Sequence, residues 1–110
     1  MTDNYLNDFK GLLKEQENDI PILEYRVKDL QSVIGLILTV VDSGFFSMIL
    51  NVLNLWSQKH YSATIKISYQ SVNDEQIEIT YSRLKQKDAE EILLNHPPQV
   101  ESKVKLEFPS

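Results

Sequence analysis

The sequence contains no cysteine. That excludes disulfides, thiolate nucleophiles and cysteine-ligated metals, and it accords with a reducing compartment. The N-terminal Met-Thr-Asp-Asn-Tyr is polar and acidic, with no cationic start and no apolar stretch before a small-residue cleavage site. A secretory leader is therefore not expected, and the chain reads as cytoplasmic. Glycine is scarce too. The three glycines, Gly11, Gly35 and Gly44, form neither GxGxxG nor GxxxxGK[ST], so no phosphate-cradling loop is expected. A GxSxG nucleophile turn is also missing. Basic clusters are lacking: the lysines are scattered, and 16 acidic residues outnumber 11 basic ones for a net charge of -5. Without a concentrated positive surface, the counterion release that drives nucleic-acid binding is missing, and no nucleic-acid partner is expected. There are two histidines, His60 and His96, both in polar surroundings at expected element ends. Neither has the neighbours that a metal site or a general base needs, so both read as surface residues. Glu90-Glu91 are adjacent on a helix and do not face each other, which leaves no acid/base pair. Neither cofactor nor metal is expected, and the chain reads as a non-enzyme.

What is present is enough for one domain over residues 1–110, since a chain of this length buries roughly 60–70% of its unfolded surface. Residues 3–17 place Tyr5, Phe9, Leu12 and Leu13 at helical spacing, and Pro21 ends that helix. Residues 22–28 alternate, with Leu23, Tyr25 and Val27 to one side and Glu24, Arg26 and Lys28 to the other, the pattern of a half-buried strand. Ile65, Ile67 and Tyr69 alternate with polar residues, as do Ile77, Ile79 and Tyr81. Asn73-Asp74-Glu75 between them is turn chemistry, so this is a β-hairpin. Residues 87–95 read as a short helix stopped by Pro97-Pro98, and Val104, Leu106 and Phe108 mark a last strand.

The longest apolar stretch runs from Val33 to Trp56 and carries a single charge, Asp42. A span across a bilayer needs about 20 apolar residues, and a central aspartate costs about 2.5–3.5 kcal/mol on insertion scales. The polar stripes also conflict. Ser32, Gly35, Thr39 and Asp42 share one face at helical period, while Ser47, Asn51, Asn54 and Gln58 form another; a single helix would set the two roughly 120° apart. Two helices broken at Asp42-Ser43-Gly44 remove the conflict, and each, at about 18 Å, is too short to cross a bilayer of about 30 Å. Asp42 then reads as a cap rather than a buried proton site. The expected order is α-β-α-α-β-β-α-β: a two-layer α+β domain whose largely antiparallel sheet of about four strands is covered on one face by helices, including a central apolar helix pair.

Binding residues are sought on this frame. The small residues Gly35 and Thr39, on one face of the first apolar helix, suit close packing against the second helix or against a partner, a further copy of the chain included. Trp56 reads as core. The final strand, with Val104, Leu106 and Phe108, is placed at a sheet edge, where free N–H and C=O groups accept an added strand.

Val40-Val41-Asp42-Ser43-Gly44, the apolar helix to Trp56, the hairpin of Ile65–Tyr69 and Ile77–Tyr81, and Asp88-Ala89-Glu90-Glu91-Ile92-Leu93-Leu94 resemble the effector-associated constant component family of bacterial conflict, or anti-phage, systems. The likeness in order and spacing covers about residues 5 to 95. It implies a non-catalytic adaptor that partners a peptidase-type effector or an NTPase of the same system, and it carries over no catalytic residues. Family members usually open with a strand before the first helix; this chain opens at the helix, and residues 103–108 are a candidate for that vacant position. Two other readings compete: a membrane-associated protein using residues 33–56, and a phage-encoded inhibitor of a host defence.

Overall fold

Four apolar residues of the first helix, Leu6, Phe9, Leu12 and Leu13, are buried because their three- and four-residue spacing puts them on one side. In the computed structural model, residues 4–16, 21–26, 33–42 and 44–109 are described. The elements are α1 (Asn4–Glu15), β1 (Ile22–Arg26), β2 (Val33–Thr39), α2 (Phe45–Lys59), β3 (Ile65–Gln70), β4 (Gln76–Tyr81), α3 (Gln86–Asn95) and β5 (Lys103–Pro109). The class is α+β as expected. The five strands form one antiparallel sheet in the order β1-β2-β5-β3-β4, one strand more than the sequence suggested.

The additional strand is β2, where a helix was expected. Its seven residues, Val-Ile-Gly-Leu-Ile-Leu-Thr, include four β-branched side chains, which fit a pleated surface better than a helix. Ile34, Leu36 and Leu38 point into the core and Gly35, Ile37 and Thr39 point the other way. A spacing of four places Gly35 and Thr39 on one side of a helix and equally on one side of a strand, so periodicity alone does not separate the two for a short apolar run. The expected helix pair is thus replaced by α1 packed against α2.

The second half of the apolar stretch is helical. Phe45, Ile49, Val52, Leu53 and Trp56 are buried, and Trp56, with no exposed surface, donates its indole N–H to the Tyr5 carbonyl at 2.8 Å. Asp42 was expected to cap this helix, but the N-cap position is Gly44, with no side-chain cap. Asp42 instead shapes the turn before it, its exposed carboxylate accepting the Gly44 N–H at 2.8 Å and its carbonyl the Phe45 N–H at 3.2 Å. Among the described residues, no helix is long and apolar enough to cross a membrane.

The hairpin of β3 and β4 has the expected register, with Ile65, Ile67 and Tyr69 opposite Tyr81, Ile79 and Ile77. Asp74 adopts φ 63° in its turn, a left-handed conformation that aspartate tolerates better than most residues. The second correction concerns β5. It pairs with β2 over seven positions and with β3 over three, so it lies in the middle of the sheet, and the edges are β1 and β4. Val104, Leu106 and Phe108, at most 3% exposed, sit under the helices in the core. A central strand has both rows of backbone groups engaged, so β5 has no free edge to offer.

Candidate functional site

The apolar side of β2, β5, β3 and β4 meets all three helices in one core cluster. Among the described residues, the opposite side of the sheet carries no helix. By register it displays Leu23 and Tyr25 from β1, Gly35, Ile37 and Thr39 from β2, Lys103, Lys105 and Glu107 from β5, Lys66, Ser68 and Gln70 from β3, and Gln76, Glu78 and Thr80 from β4.

The alternation read for residues 22–28 holds over Ile22–Arg26, with Val27 and Lys28 outside the described residues, but its apolar set faces away from the helices. Leu23 is 61% exposed, while Glu24, on the other side, meets Lys10 of α1 at 2.5 Å. Tyr25 lies across Gly35: a Cβ there would fall 2.2 Å from Cζ of the ring. A bare backbone position covered by a cross-strand aromatic is a recognised way of closing a glycine gap in a sheet. The ring reaches over β2, and its hydroxyl donates to Glu107 Oε2 on β5 at 3.2 Å. Burial, followed by the Glu107 charge and that hydrogen bond, pushes the Tyr25 phenol up to about 12, because each penalises the phenolate. Gly35 therefore serves as a seat for Tyr25 and not as a helix contact.

Lys103 and Lys105 divide this face. On one side, Pro21, Ile22, Leu23, Ile37 and Thr39 line a shallow apolar hollow of about 230 Å³. On the other, Tyr25, Ser68, Gln70, Gln76, Glu78 and Glu107 line a polar hollow of about 430 Å³. Lys103 and Lys105 border both, and Lys103 Nζ donates to Thr39 Oγ1 at 2.9 Å. Three cations, Lys66, Lys103 and Lys105, thus share the face with Glu78 and with Glu107, which Tyr25 holds, although the whole chain carries -5. The arrangement provides an apolar strip for side chains, lysines for carboxylates, and amide and hydroxyl groups for a peptide backbone.

A second grouping joins the two helices. His60, expected at the surface, has a side chain only 15% exposed, and its Nε2 lies 2.7 Å from Asp8 Oδ2. The Tyr5 and Trp56 rings lie 4.8 and 4.9 Å from its imidazole. No local motif signals this contact, because its partners are 52 residues apart. It holds the ends of α1 and α2 together. Between α2 and α3, Gln86 Nε2 donates to Asn54 Oδ1 at 2.8 Å, and Arg83 meets the same oxygen at 3.4 Å, so these groups satisfy one another. Among the described residues, no group of three or more His, Asp or Glu is placed to hold a metal ion.

Of the residues singled out from sequence, Gly35 and Thr39 belong to the helix-free face, and Val104, Leu106 and Phe108 belong to the core beneath it. Sequence reasoning passed over Leu23, Tyr25, Ile37, Lys103 and Lys105 as a group; the alternation in β1 and β5 was visible, but not that residues 33–39 form a strand or which side the helices would leave open. No family model, curated protein or solved structure matches the chain.

Proposed function

We propose that the chain is a non-catalytic protein-interaction domain that binds a partner segment across the helix-free face of its sheet. The observation that carries this reading is the strip formed by exposed Leu23 with half-buried Ile37 and Tyr25 beside Lys103 and Lys105, on a chain whose remaining charge is strongly acidic. An apolar patch rimmed by polar groups is the usual form of a protein-binding surface. The lysines favour a segment with carboxylates next to apolar side chains, and opposite charge speeds its approach.

The narrower role implied by the family resemblance, an adaptor for a peptidase-type effector or an NTPase of a bacterial conflict system, is one form of this proposal. It rests on the order of α2, the hairpin and α3 over residues 45–95, since the apolar helix pair that formed part of the resemblance is a strand followed by a helix. It predicts a neighbouring gene that encodes such an effector, and a neighbourhood without one counts against it.

The test is affinity capture from the native host with cross-linking, followed by binding measurements on the purified partner. Leu23→Asp and the double substitution Lys103→Glu/Lys105→Glu weaken binding at least tenfold, a loss of about 1.4 kcal/mol. Lys87→Glu, on the exposed side of α3, leaves it unchanged. Equal binding by all three variants refutes the assignment of this face.

A further inference from the structure

Among the described residues the sheet ends in two unpaired edges, β1 and β4, and the backbone bonding fixes what each presents. The Thr39 N–H donates to the Pro21 carbonyl at 3.4 Å, one position beyond the Ile22↔Leu38 pair. Bonded and non-bonded pairs alternate along an antiparallel ladder. Leu23 and Tyr25 therefore bond to β2, and the N–H and C=O groups of Ile22, Glu24 and Arg26 point outward. Exposed edges are commonly guarded by proline, charged side chains or a bulge. Residues 22–26 contain no proline, and their two charges, Glu24 and Arg26, are opposite in sign, so they disfavour some registers and favour another.

We propose that β1 pairs antiparallel with β1 of a second copy of this chain about a two-fold axis at Tyr25, so that Glu24 of each copy faces Arg26 of the other. A two-fold contact is self-complementary, so each favourable pair occurs twice. The alternative register centred on Glu24 sets two carboxylates directly opposite each other, which is destabilising. The register centred on Leu23 sets Glu24 against Ile22 and leaves Arg26 without an acidic partner. Only the Tyr25 centre matches both charges, and each Tyr25 ring stays over its own Gly35, clear of the seam. Glu24 and Arg26 project on the α1 side, beside an open hollow of about 400 Å³ that both residues line with Leu6 and Asn7. The Glu24 carboxylate, 48% exposed even with Lys10 beside it, has a free side for a second cation. The other edge lacks this complementarity. The Ser71 N–H donates to the Glu75 carbonyl, so by the same alternation Gln76, Glu78 and Thr80 point outward on β4, and their only charge is negative.

The pairing joins two five-stranded sheets into one and sets the two helix-free faces side by side. It stands independently of what binds there. Sedimentation equilibrium of the full chain, from micromolar to millimolar concentration, shows a reversible monomer–dimer equilibrium. Arg26→Glu alone and Glu24→Arg alone each set like charges across both pairs and weaken the dimer roughly tenfold or more. An equimolar mixture of the two variants restores it as a heterodimer, because two carboxylates then face two guanidinium groups. Circular dichroism and thermal melting establish that both variants fold. Three results overturn the proposal: a monomer at every concentration, a dimer that Arg26→Glu leaves unchanged, or variants that stay monomeric when mixed.

Discussion

Gly35 and Tyr25 lie on different strands and act as one unit, since the ring occupies the volume that any side chain at position 35 would take. Gly35→Ala must lift the ring from its seat and away from Glu107. The expected cost is about 1–3 kcal/mol, the range for an overpacked site, read from urea unfolding. In a Tyr25→Ala background the same substitution costs much less, because the clash is gone. Glu107→Gln removes the charge and weakens the hydrogen bond that help raise the Tyr25 phenol, so its titration moves down from about 12 toward the ordinary 10 without reaching it, because burial remains. Phenolate absorbance measures this. Tyr69 is also pushed up to about 12 by burial, and its hydroxyl donates to the His96 carbonyl. Burial likewise raises Tyr81. For each of these groups the native state holds its proton more tightly than the unfolded state does. The contribution of Tyr25 and Tyr69 to stability is therefore full below pH 10 and is lost as pH rises from 10 to about 12. Unfolding midpoints in urea should fall across that window, together with phenolate formation.

Helices α1 and α2 depend on each other. The indole of Trp56 is bonded to the first turn of α1 through the Tyr5 carbonyl, and Asp8 reaches His60 just past the end of α2. Trp56→Ala opens a cavity at the centre of the core and removes that bond, at an expected cost of about 3–5 kcal/mol seen as a large fall in melting temperature. Asp8→Ala is milder, about 1 kcal/mol, and its signature is local. Amide exchange in α1 quickens more than exchange in β5, because the lost contact ties down one helix and not the sheet. At this scale the hairpin, α1, α2 and α3 were legible in the residues, since each has an apolar set of one period bounded by turn or stop signals. Residues 33–39 were not. Every second residue and every fourth residue fit the same positions, and only the pairing of β2 with β1 and β5 selects the extended form.

At the scale of the whole molecule, three helices shield one side of a five-stranded sheet and leave the other open. That asymmetry supplies the surface to which the interaction role is assigned, and the exposed β1 edge supplies the pairing of two copies. Both are charge-dependent, so raising salt weakens partner binding through Lys103 and Lys105 and loosens the dimer through Glu24 and Arg26. Folding stability, which rests on the buried core, changes little over the same range. A melting temperature that fell in step with binding would contradict this separation.

The amino-acid sequence by itself determined the class of the fold, the alternation within β1, β3, β4 and β5, the break at Asp42 and the acidic balance, because these follow from local spacing and side-chain chemistry. The tertiary structure alone decided that β5 lies inside the sheet, that residues 33–39 are a strand, and that Leu23 and Tyr25 face away from the helices. Local periodicity tells which side chains share a face. Which face is then covered depends on contacts between residues far apart in the chain, such as Tyr25 with Glu107 or Asp8 with His60, and no short window of sequence contains both partners.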